Sequence, residues 1–106
     1  MSSLITQHCT AKVDKADAAA IAAWLQEIPG WAVDADVLSR RFDFRNYYET
    51  IAFVNLVAWV ANREDHHPDL EVGYNRCRVS YSTHFVGGLS KNDFICAAHI
   101  AAALAT

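Results

Sequence analysis

Residues 69–83 alternate with a period of two. Leu70, Val72 and Tyr74, and then Cys77, Val79 and Tyr81, are each separated by one polar or small residue. That period belongs to strands with one buried face. Asn75-Arg76 between the two runs reads as a two-residue turn, because asparagine tolerates positive φ. In that register Tyr74 faces Cys77, Val72 faces Val79 and Leu70 faces Tyr81. A second pair of runs, Trp31 to Asp34 and Val37 to Phe44, brackets Asp34-Ala35-Asp36 and puts Leu38, Arg40, Phe42 and Phe44 on one face. Two such hairpins make a four-stranded antiparallel sheet whose apolar side needs helices over it.

Three segments supply those helices. Asp14 reads as an N-cap, with Asp17 in the first turn, ahead of Ile21, Trp24, Leu25 and Ile28 at helical spacing. Pro29-Gly30 stops that helix. Asn46 and Glu49 read as a capping box for a second helix through Ile51, Val54, Val57, Ala58 and Ala61. It is apolar over most of its circumference, as in a helix buried on more than one side or against a partner. It should end near His66-His67, because Pro68 disfavours the helical region for the residue before it. Ser90 and Asp93 open a last, alanine-rich helix carrying Phe94, Ile95, Ala98 and Ile100. The order α-β-β-α-β-β-α predicts a two-layer α+β fold, one domain over residues 1–106, with three helices on one face of the sheet.

Composition narrows the function classes. A chain of 106 residues leaves little room for a separate cofactor-binding domain. Twelve acidic against nine basic residues, a formal net charge of −3, argue against direct binding to nucleic acid or anionic membranes. No apolar run reaches the ~18–20 residues of a membrane span. The start MSSLITQHC lacks the features of a signal peptide, so a cytoplasmic protein is expected. Cys9, Cys77 and Cys96 are widely spaced without a CxxC, and read as reduced thiols, Cys77 in the core.

The five histidines stand out. Extending the hairpin register brings His67 opposite His84, beside the end of the second helix and a flexible Gly87-Gly88 loop. Imidazole suits proton transfer, since its unperturbed pKa of about 6.5 keeps both protonation states accessible near neutrality. Two other readings stand beside that one. His66-His67 before Pro68 is also a polar helix end. His66, His67, His84 and Asp69 could hold a metal, although their spacing matches no familiar zinc pattern. His8 and His99 have no convergent partners in the sequence pattern and read as ordinary surface or helical residues. Gly87-Gly88 carries no phosphate-binding motif.

The stretch from Glu64 to Phe94 resembles the pterin-4a-carbinolamine dehydratases. The family pattern is a His-His-Pro triplet, an aromatic after five residues, a histidine nine further on and an Asp beyond it. Here these are His66-His67-Pro68, Tyr74, His84 and Asp93, with Ser82-Thr83 before the last histidine. Ile28-Pro29-Gly30-Trp31 and the element order extend the resemblance more weakly. Asn62 departs from the acidic or other charged residue that many members carry four positions before His66.

The resemblance implies dehydration of 4a-hydroxytetrahydrobiopterin to quinonoid dihydrobiopterin and water, in the recycling of tetrahydrobiopterin for aromatic amino acid hydroxylases. No metal, flavin or nicotinamide is implied, because no net redox change occurs. It makes His66 and His84 an acid/base pair and His67 a third catalytic residue that orients and polarises the pterin. Asp65, the main chain around Ser82-Thr83 and Asp93 would make up the substrate-binding set with His67, Asp93 either orienting His84 or only capping its helix. A homodimer or tetramer is implied. The alternatives are a dimerisation or transcriptional-regulatory module, and the same dehydration on another pterin.

Overall fold

A computed structural model describes residues 3–105. In chain order it contains α1 (Ala18–Leu25), β1 (Ala32–Asp34), β2 (Val37–Asp43), α2 (Tyr47–Glu64), β3 (Asp69–Val72), β4 (Arg76–Tyr81) and α3 (Lys91–Leu104). Short 3-10 turns lie at Leu4–Thr6 and His84–Val86. The four strands form one antiparallel sheet in the order β1-β2-β4-β3. The expected α+β layout is therefore the observed one.

The two-residue period does its work across the β2–β4 seam. Leu38 pairs with Tyr81, Arg40 with Val79 and Phe42 with Cys77. All but Arg40 are buried, in one core with Phe53, Val57 and Val60 of α2 and Phe94, Cys96, Ala97 and Ile100 of α3. Arg40 lies over the Phe42 ring, its guanidinium carbon 4.5 Å from the centroid. Helix α3 is buried without a break from Asn92 to Ile100. Ala35 and Asp36 both take positive φ, 49° and 61°, as a two-residue hairpin turn that follows strand twist requires.

Several expectations shift. The second hairpin turns at Tyr74-Asn75, not Asn75-Arg76: Val72 pairs with Cys77, Leu70 with Val79, and Gly73 N donates to Arg76 O at 2.8 Å. The slip changes every partner by two residues, so it preserves the buried face. The turn is fixed from outside, by Phe44 N on Asn75 O at 2.8 Å and the Thr50 hydroxyl on Tyr74 O at 3.0 Å. Asp17, not Asp14, caps α1, accepting Ala20 N at 2.8 Å. The chain just before it is held extended against the start of α3, through a Lys15–Ser90 bridge and Ala16 N on Leu89 O. Helix α1 stops before Pro29-Gly30, because residues 26–28 tighten into i→i−3 bonds that lead the buried Ile28 into the core. At α2, Asn46 caps Glu49 N, but the Glu49 carboxylate turns to Arg45 N and the Arg45 guanidinium, so only half the expected box forms.

Candidate active site

The end of α2 sets the site in place. Asp65 takes the left-handed conformation, φ 52° and ψ 42°, and His66 N reaches back to Ala61 O at 3.1 Å. This is a Schellman-type close with aspartate in the position usually given to glycine. Pro68 follows in the chain and β3 starts at Asp69, so His66 and His67 span the corner between helix and sheet. On the other side, β4 ends at Tyr81 and the chain turns through Ser82, Thr83 and the His84–Val86 turn. Thr83 N donates to Gly88 O at 2.8 Å, and Gly87 has φ 70°, so the Gly87-Gly88 segment is a pinned turn. These two corners enclose a cleft of about 270 Å³ lined by Asp65, His66, His67, Ser82, Thr83, His84 and Phe85.

Beneath it runs a buried polar network. His66 Nε2 lies 2.6 Å from Asp93 Oδ1, with the imidazole 12% exposed and the carboxylate fully enclosed. Asp93 Oδ2 accepts from the Thr83 hydroxyl and from Ser90 N, both at 2.9 Å. Because the Thr83 proton is spent on Asp93, the Ser90 hydroxyl donates to Thr83 Oγ1 across 2.7 Å. One carboxylate thus caps α3, ties the corner at Thr83 and fixes the His66 ring. A carboxylate can only accept, so Nε2 of His66 carries the proton and Nδ1 holds the lone pair of the neutral ring. Tyr81 stacks on His66 with centroids 5.4 Å apart and planes 16° from parallel. Burial, with the Cys96 thiol beside it, pushes the Tyr81 phenol well above its ordinary range.

The structure brings Asp65, His66, His67, Ser82, Thr83 and His84 together, with His67 and His84 exposed on the cleft walls. Asp93 lies below the cleft and meets His66, not His84. Asp69 is at the start of β3, outside the cleft lining, and Tyr74 is at the far end of the sheet, stacked on Tyr47. Sequence reading missed Tyr81 as the platform under His66, although its place on the buried face of β4 pointed there. It also missed Phe85, an aromatic 68% exposed on the cleft wall, for which no periodicity signal exists.

The sequence pattern of the family described as pterin 4 alpha carbinolamine dehydratase matches residues 14–103. The chain belongs to that family. A Nitrosomonas eutropha protein that carries pterin-4-alpha-carbinolamine dehydratase as a provisional name is 63% identical over 71 residues, which are 67% of this chain and 63% of that one. A Stenotrophomonas maltophilia relative with the same provisional name is 58% identical over 86 residues, 79% of this chain and 74% of its own. The chain thus spans just under two thirds of the length of the Nitrosomonas relative. Among solved structures, a Brucella melitensis protein described as transcriptional coactivator/pterin dehydratase superposes with a TM-score of 0.79 and 27% identity, over 84% of this chain and 97% of that one. A pterin dehydratase-like protein identified as a RuBisCO assembly factor shares the fold, at a TM-score of 0.56 and 22% identity over 68% of this chain and 83% of its own.

His8 and His99 do converge, contrary to the reading from sequence. Their rings stack with centroids 5.4 Å apart, and Glu64 lies with them. Burial alone would raise the Glu64 carboxyl, but Cys9 N, His8 and Arg63 together hold it below the usual carboxylate range. A sequence window could not bring these residues together, because the N-terminal segment crosses both α2 and α3 to do so.

Proposed function

We propose that the cleft dehydrates a 4a-hydroxytetrahydropterin to the quinonoid dihydropterin and water. In that reaction the C4a–O bond breaks, the N5 lone pair forms the N5=C4a bond, and N5 loses its proton. Hydroxide is a poor leaving group, so a general acid protonates it as it departs while a base collects the N5 proton. His66 and His84 form this pair. His66 is held through Nε2, which leaves the lone pair on Nδ1 to take up a proton from the substrate. His67 orients the pterin and polarises it, Asp65 and the chain at Ser82-Thr83 meet its polar edge, and Phe85 offers its ring a flat apolar wall. The observation that carries this reading is the meeting of three imidazoles around one small cleft, one of them fixed by a buried carboxylate. No redox step arises, so the residues need no flavin, nicotinamide or metal for it.

Replacing His84 with Ala tests the assignment. The expected result is a fall of about 10²–10⁴-fold in turnover, measured as quinonoid product in a coupled hydroxylase assay. Turnover equal to the parent chain's would remove His84 from the acid/base pair.

The substrate best suited to this reading is 4a-hydroxytetrahydrobiopterin, formed by an aromatic amino acid hydroxylase, with the chain acting in cytoplasmic tetrahydrobiopterin recycling. No helix among the described residues is long and apolar enough to cross a membrane. A second reading, an interaction module, draws on the coactivator description of the Brucella melitensis protein and on the outer face of α2, where Tyr48 and Trp59 are exposed. Titration with dihydrobiopterin separates the two. Saturable binding that is lost with His67→Ala supports the dehydratase, and no binding favours the module.

A further inference from the structure

Outside the residues that line the cleft, three side chains unused by the proposed reaction converge. His8 comes from the N-terminal segment, Glu64 is the last residue of α2, and His99 lies in α3. We propose that His8, Glu64 and His99 form a binding site for one borderline divalent cation of the zinc class. Two imidazoles and one carboxylate are a donor set that such ions accept, with a further position left for water.

One potential ligand atom from each residue lies within 4.8 Å of the others. Donors on a tetrahedral ion with bonds of about 2.0–2.1 Å stand roughly 3.3 Å apart, so a contraction of at most about 1.5 Å completes the site. The Glu64 side chain is only 2% exposed, whereas His8 is 69% exposed and free to adjust.

His99 Nε2 lies 2.7 Å from Gln7 O, and its Nδ1 lies 3.1 Å from the Arg63 amino group. A carbonyl can only accept and a guanidinium can only donate, so Nε2 carries the proton and Nδ1 presents its lone pair. An imidazole whose second nitrogen donates to a carbonyl is the arrangement found at metal-ligating histidines.

The Glu64 carboxylate is compensated by the His8 Nδ1 proton at 2.9 Å and by Arg63 Nε at 3.2 Å. Its other oxygen accepts Cys9 N at 2.8 Å and is not needed for ligation. A divalent ion replaces the His8 proton and displaces Arg63, which is partly exposed and already rests on the Trp59 ring at 4.4 Å. Bound there, the ion staples residues 7–9 to α2 and α3, one residue short of the Asp65 corner that carries His66.

The experiment is isothermal titration of the tag-free, full-length chain with Zn²⁺, repeated with Co²⁺ to read the visible spectrum of the ligand set. One equivalent is expected, with a melting temperature that rises with ion concentration. His8→Ala, a surface change that spares the core, should weaken binding at least tenfold. Arg63→Gln should strengthen it, while His84→Ala should leave it unchanged. The proposal is overturned by no binding at millimolar ion, by affinity unchanged in His8→Ala, or by an equivalent lost in His84→Ala instead, which would assign the ion to the cleft.

Discussion

At the scale of single residues, Asp93 does the most with the fewest atoms. It caps α3, anchors Thr83 and holds His66, and all three depend on an enclosed carboxylate. Asp93→Asn keeps the shape but brings an amide N–H₂ into a set of donors. The expected outcome is a kcat about 10–100-fold lower with KM little changed, since the residue positions His66 without touching substrate. An unchanged kcat, or a loss confined to KM, would contradict that role. Asp93→Ala also strands Ser90 N and the Thr83 hydroxyl, and should cost about 2–4 kcal/mol in a denaturant titration. The capping role was legible in the Ser90-x-x-Asp93 pattern, because a cap is a local device. Its grip on His66 was not, since the partners are joined only when the β3–β4 hairpin folds back. The resemblance matched Asp93 and left it to orient His84 or only to cap its helix; the cap is present, and the histidine it meets is His66.

At the scale of elements, face was legible and register was not. Leu70, Val72, Cys77, Val79 and Tyr81 could be assigned to one side by parity alone. The turn slipped by one position because Phe44 N and the Thr50 hydroxyl hold the Tyr74 and Asn75 carbonyls, contacts from elsewhere in the fold. The end of α2 was placed near His66 on account of Pro68, but the helix closes before that, at Glu64, through Asp65 in the left-handed region. Asp65→Gly removes the cost of an L side chain there and should raise stability by up to about 1 kcal/mol, a shift of several degrees in Tm. Because the proposed reaction has Asp65 at the polar edge of the pterin, KM should rise in the same variant. At the other end, Asn46→Ala should cost about 1 kcal/mol through loss of the bond to Glu49 N. The Arg45 side chain, then its backbone N–H, lowers the Glu49 carboxyl below its ordinary value. A depressed carboxylate stabilises the fold above its unfolded pKa and loses that contribution as pH falls through the folded one. Acid melts of Glu49→Gln should therefore lack a small loss of stability that the parent chain shows below about pH 4.5.

For the whole molecule, the sheet, α2 and α3 share one core, and α2 carries apolar side chains on its outer side as well. Its outer side, with Phe44 and Leu104, lines an open groove of about 320 Å³ that includes Tyr48, Ala52 and Leu56. We expect a homodimer, or a tetramer built from it, and Leu56→Asp should shift light scattering at micromolar concentration toward the monomer. A parent chain that is already monomeric contradicts this expectation. The remaining apolar content lies where the α-β-β-α-β-β-α order places it, which is why layout could be read from pattern while contacts of the N-terminal segment could not. Across all scales the account rests on three imidazoles acting together on one substrate. The direct measurement is stopped-flow dehydration of a 4a-hydroxytetrahydropterin, comparing the parent chain with a variant carrying His66→Ala and His84→Ala. The account predicts a rate proportional to parent chain concentration, and a double variant that remains folded but adds nothing to the spontaneous rate. A parent chain that leaves the spontaneous rate unchanged, or a double variant as fast as the parent, would contradict it.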